Sequence, residues 1–131
     1  MNQITTQYVT ENGACYEQYV ITDPAAKTSL TITPERGGMI TGFTLDGDEY
    51  IWTRRPNFSE CNRPRFGVPV LFPSCGNPDG GVHNFDGKAY PMETHGFADL
   101  CGWDVESVGP DGVTLALEST PLTKFLYPFD F

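Results

Sequence analysis

Apolar and polar residues in this chain alternate mostly with a period of two, in short runs, which predicts strands rather than helices. Thr28-Ser29-Leu30-Thr31-Ile32-Thr33 predicts a strand that buries Leu30 and Ile32 and turns its threonine face to solvent. Cys15–Ile21 is rich in β-formers and ends at Asp23-Pro24, and Met39–Leu45 follows the Gly37-Gly38 turn as a further strand. Trp103–Val108 and Val113–Ser119 alternate around Gly109-Pro110-Asp111-Gly112 and predict an antiparallel hairpin, with Val105, Leu115 and Leu117 facing inward. No window keeps apolar residues at i, i+3, i+4 and i+7 for three turns, so little helix is expected.

Between these runs the turn chemistry is explicit. Asp46-Gly47-Asp48 reverses the chain into Glu49-Tyr50-Ile51-Trp52, and Asp86-Gly87 joins Val82–Phe85 to Lys88–Met92 as a tight hairpin. Val68–Pro73 reads as a strand running into the loop Ser74–Gly81, and Thr53–Pro64 reads as a polar connection. The aromatic segment Phe125–Phe131 reads as a strand that expects a covering neighbour, from its own protein or from a second copy as a homodimer. Many short strands punctuated in this way predict an all-β chain folded as an antiparallel β-sandwich.

Composition narrows the functions. At 131 residues the chain is long enough for one domain, residues 1–131, that buries roughly two-thirds of its unfolded surface. With 17 Asp and Glu against 8 Lys and Arg it carries a net charge of −9, which repels phosphate backbones and anionic lipid and argues against nucleic acid or membrane partners. The four cysteines, Cys15, Cys61, Cys75 and Cys101, form no metal-binding spacing and read as reduced thiols, so no metal site is expected. No leader and no apolar run near the 18 or so residues of a membrane span stands in the sequence, which fits a cytoplasmic location.

Candidate chemistry concentrates between Arg63 and Trp103. The hairpin through Asp86-Gly87 delivers His95 to a strand end, and Gly96 lets a ligand or another backbone come close. Asn77, beside Gly76, can donate and accept at once, and is equally at home as a turn residue. Phe66, Phe72, Trp52, Phe97 and Trp103 could offer an apolar face to a ligand, although aromatics in a sandwich are more often core. His83 has no partner at a telling spacing.

The ordered series Gly67–Pro73 (Gly-x-Pro-x-Leu-Phe-Pro), Gly87-Lys88-Ala89-Tyr90 and His95-Gly96-Phe97-Ala98, with Trp103 beyond, resembles the aldose 1-epimerase, or galactose mutarotase-like, family. Glu35–Ile40 and Leu45–Trp52 resemble that family's opening hairpin. The resemblance implies the early strands of a large twisted β-supersandwich, because family members are usually about twice this long. It implies interconversion of the α and β anomers of an aldohexose by acid/base ring opening, with no metal or organic cofactor. His95 then matches the family's first active-site histidine, near the sugar ring oxygen, while the family's second histidine and its glutamate base fall beyond position 131. Arg65 matches an arginine of the branch that acts on hexose 6-phosphates, but Asp99 stands where that branch carries arginine, which favours an unphosphorylated aldose. The alternatives are a non-catalytic carbohydrate-binding module and a self-associating β-sandwich.

Overall fold

The computed structural model describes residues 1–52, 63 and 66–131. Arg65, Cys61 and most of the connection Thr53–Pro64 therefore lie outside the described residues. Strands β1 (Gln3–Glu11), β2 (Ala14–Asp23), β3 (Thr28–Thr33), β4 (Met39–Leu45) and β5 (Asp48–Glu49) form one antiparallel sheet in sequence order. Two hairpins follow, β6 (Val82–Phe85) with β7 (Lys88–Pro91), and β8 (Asp104–Gly109) with β9 (Gly112–Ala116). The chain is all-β and antiparallel, and among the described residues its helical content is limited to single 3₁₀ turns.

Local turn chemistry sets the register. Asp46-Gly47 (φ 52° and 91°) and Asp86-Gly87 (φ 51° and 76°) are both left-handed, the geometry that matches the twist of the strands they join. Asn12-Gly13 repeats the device (φ 50° and 80°) and pairs β1 with β2, a strand beyond those expected from the sequence. The Asn-Gly dipeptide was the available signal. Val68–Pro73 is not a strand; it touches its neighbours through two single bridges, Ile40 to Val68 and Phe72 to Gly96. Two prolines, at 69 and 73, deprive a longer ladder of donors there.

The threonine face of β3 departs from expectation. Thr33 is fully buried and Thr41 nearly so, alongside Gln18. Their burial is tolerated because each finds a partner: Gln18 Nε2 donates to Thr33 Oγ1 (2.9 Å), the two threonine hydroxyls are 3.0 Å apart, and Gln7 Nε2 donates to Gln18 Oε1 (3.0 Å). A polar seam thus crosses β1 to β4. Ile32 is buried as expected, while Leu30 is only half-buried. Met39 and Phe66 pack together, with Val9 and Tyr16 against them.

The C-terminal aromatic segment forms no strand. It makes a 3₁₀ turn at Thr123–Phe125 and folds back, so that Tyr127 and Phe131 meet Phe72 edge-on or tilted at 5.5 and 4.9 Å between centroids. Phe129 meets Phe85 at 4.9 Å, and the Ser119 N–H donates to the Phe131 carbonyl (3.0 Å). Ring-to-ring packing inside the chain thus replaces strand pairing over part of this segment, while Phe125 and Phe129 stay 75% and 43% exposed. No helix among the described residues is long and apolar enough to cross a membrane.

Candidate functional site

His95 sits in a left-handed conformation (φ 70°), which is uncommon for a side chain with a Cβ. Two reciprocal bonds hold it there. The His95 N–H donates to the Gly76 carbonyl, and the Gly76 N–H donates to His95 Nδ1, each at 2.9 Å. Because Nδ1 accepts, the proton of the neutral ring is carried on Nε2. Among the described residues nothing bonds Nε2, and the side chain is half-buried rather than sealed.

Gly96 explains why this tip can be seated so closely. At φ 75°, a Cβ there would overlap the Phe72 carbonyl oxygen, the same oxygen that accepts from the N–H groups of Phe97 (2.9 Å) and Ala98 (3.2 Å). The His95-Gly96 corner is thus clipped onto the end of the Gly67–Pro73 segment. A second clasp lies behind it. The Gly37 N–H donates to the Cys101 carbonyl (3.1 Å), the Trp103 N–H to the Pro34 carbonyl (3.0 Å), and Trp103 Nε1 to the Ala98 carbonyl (3.0 Å). Trp103 is therefore a structural residue of this clasp.

Arg63 is the functional candidate that sequence reasoning missed. Its Nη1 donates to both Asp99 carboxylate oxygens at 3.1 Å, and its Nη2 donates to the Gly96 carbonyl at 2.5 Å. Glu93 Oε2 lies 3.6 Å from the same guanidinium. The side chains are 14% and 2% exposed for Arg63 and Asp99, so water screens this pair little. Burial raises the Asp99 carboxyl above its ordinary range, and the Arg63 charge opposes that rise without cancelling it. The carboxylate at position 99 is thus neither exposed nor unpartnered, and repulsion of a phosphate by a bare charge is not its role. Cys101 lies beside it, with burial and then the Asp99 charge pushing its thiol up.

Two clefts meet at Arg63 and His95. One, of about 530 Å³, is lined by Tyr50, Trp52, Phe66, Leu71 and Asp99 in addition to that pair. The other, of about 560 Å³, adds Asn77, Met92, Glu93 and Thr94. Asn77 is exposed and its Oδ1 accepts from the Thr94 hydroxyl, which turns the amide into part of the second cleft's wall. Phe97 lines neither cleft. It is 5% exposed and packs against Phe72 and Phe131, both at 6.1 Å. His83 lies apart in β6, its ring edge-on to Phe85 at 5.9 Å.

The Slr1438 protein from Synechocystis sp. PCC 6803 matches all of this chain with a TM-score of 0.83 and 29% identity, over 45% of its own length. A galactose mutarotase-related enzyme from Lactobacillus acidophilus matches 96% of the chain (TM-score 0.65, 22% identity, 36% of its own length). A galactose mutarotase-like protein from Lactobacillus casei ATCC 334 does so with a TM-score of 0.62 at 22% identity, over 37% of its length. The fold is galactose mutarotase-like. The chain spans less than half the length of these structures. No protein-family model and no curated protein matches its sequence.

Proposed function

We propose that this chain supplies the His95 side of a mutarotase-like sugar site, in which a neutral aldohexose lies against the imidazole and Arg63. The observation that carries the reading is the placement of His95: locked by Gly76, half-buried, with Nε2 unclaimed by any of the described residues where two clefts join. Anomer exchange needs a proton delivered to the ring oxygen and another removed from the anomeric hydroxyl. An imidazole that accepts at Nδ1 presents N–H at Nε2, so His95 donates toward the ring oxygen. Arg63, itself held by Asp99, donates to the Gly96 carbonyl and so steadies the corner from which the ring projects, a positioning role. Asn77 supplies a second hydrogen-bonding edge.

If the chain follows the aldose 1-epimerase pattern, the remaining acid and base belong to residues other than these 131, so the chain alone is proposed to bind sugar with little or no turnover. Calorimetric titration with D-galactose and D-glucose tests binding, and polarimetry with fresh α-anomer tests turnover. Binding that weakens in His95→Ala supports the reading. Absence of any binding to the wild-type chain, under conditions where it is folded, overturns it.

A further inference from the structure

The two tryptophans of the chain are treated in opposite ways. Trp103 has its indole N–H bonded to Ala98 and its ring against Gly38. Trp52 is 66% exposed and Tyr50 62% exposed, yet both line the cleft that holds His95 and Arg63. Exposed rings of this size are ordinarily free to wander, but the backbone beneath these is fastened at three consecutive residues. The Tyr50 N–H donates to the Phe43 carbonyl (2.8 Å), the Ile51 N–H to Glu49 Oε1 (2.7 Å), and the Trp52 carbonyl accepts from the Gly67 N–H (3.0 Å). Glu49 Oε1 also accepts from the Phe43 N–H (2.8 Å), which ties the same segment to β4. One wall of the cleft is therefore aromatic and carried on a fastened backbone, while charged and hydrogen-bonding groups stand elsewhere in the same space.

We infer that Tyr50 and Trp52 form a stacking wall that selects aldopyranoses presenting a face of C–H bonds, with Trp52 its principal member. This rests on the sugar reading of the His95 site and specifies the ligand that site takes. A pyranose is amphipathic: equatorial hydroxyls point around its rim, and axial hydrogens make a ring face apolar. Aromatic rings take up that face and exclude water from it, while the rim reaches hydrogen-bonding groups such as those of Arg63 and His95. Neither ring touches a reacting atom; their effect is on affinity and on the choice of sugar.

The test uses the full 131-residue chain with D-glucose and D-galactose as probes. Saturation-transfer NMR should show the strongest transfer to the hydrogens of one ring face, and Trp52→Ala should abolish that contrast and weaken binding about tenfold. Trp52→Phe, which keeps a ring, should recover most of the affinity. Far-ultraviolet circular dichroism establishes that each variant is folded, and Tyr50→Ala provides a second variant with the same expected direction. Binding that is lost in His95→Ala but unchanged in folded Trp52→Ala and Tyr50→Ala overturns the stacking wall and leaves the sugar site standing. Absence of sugar binding to the wild-type chain overturns both.

Discussion

At the scale of single residues, the site depends on groups whose neighbours leave no room for substitution. Gly96 is the clearest case, since it combines a left-handed backbone with a carbonyl oxygen where its Cβ would stand. Gly96→Ala is expected to cost about 2–4 kcal/mol, at the upper end of the ordinary range for a point change, through strain and displacement of the Phe72 carbonyl; urea denaturation measures it. Asp99 makes a different prediction. Its folded carboxyl holds a proton to higher pH than the unfolded one, so protonation favours the fold. The stability due to this group is full below the ordinary carboxylate value and falls as pH rises through the raised folded value. Asp99→Asn, which removes the titration, should not show that fall, so the variant's stability relative to wild type should climb with pH over this window. Urea midpoints measured from acid to neutral pH would contradict this if both proteins gave parallel curves. His95 stood out in the sequence because the turn before it and the glycine after it are local signals, and the structure sets it in a left-handed turn rather than at a strand end. Arg63 was not, because its partner Asp99 lies 36 residues away and only tertiary structure joins them. The hint available was a carboxylate inside the apolar turn Phe97–Leu100, which needs a cation if it is buried.

At the scale of elements, the three two-residue turns with paired left-handed residues fix the register of β1 with β2, β4 with β5 and β6 with β7. Turns of this kind are readable from dipeptides, which is why the Asp-Gly hairpins were expected. The failures came where pattern and packing diverge. Thr33 looks like part of a solvent face by alternation, but a seam of hydrogen bonds with Gln18 and Thr41 makes it interior, and no local rule registers partners on other strands. The segment Tyr50–Trp52 shows how an element can be held without a long ladder, through the Glu49 carboxylate. Glu49→Ala should therefore cost about 1 kcal/mol of stability, since two backbone donors lose their charged acceptor near the surface, and Glu49→Gln should recover part of it. Denaturant midpoints for the three proteins decide the matter: equal values would show that the carboxylate does not secure this strand end.

The molecule as a whole exposes 8107 Å². A compact monomer of 14.5 kDa is expected to expose about 6900 Å². Set against an unfolded chain of about 21,000 Å², burial reaches only about 60%, a fraction typical of a domain half as long. Among the described residues Leu122, Phe125 and Tyr8 contribute to this, each more than 60% exposed, and the apolar core there centres on Met39 and Phe66. The aromatic cluster around Phe72 compensates in part, by closing the C-terminal segment onto the Gly67–Pro73 run that supports His95. Two consequences follow for the chain in solution. Because the denaturant slope scales with the surface newly exposed on unfolding, its urea m-value should fall below that of ordinary 130-residue domains. Because apolar side chains stand in water in the folded state, it should bind an apolar dye such as ANS before any unfolding begins. Near-ultraviolet circular dichroism recorded in parallel separates this from loss of packing, since a native aromatic spectrum must persist while the dye is bound. A full-sized m-value together with no dye binding would mean that the apolar surface is covered in solution, and light scattering would then show whether a second copy covers it.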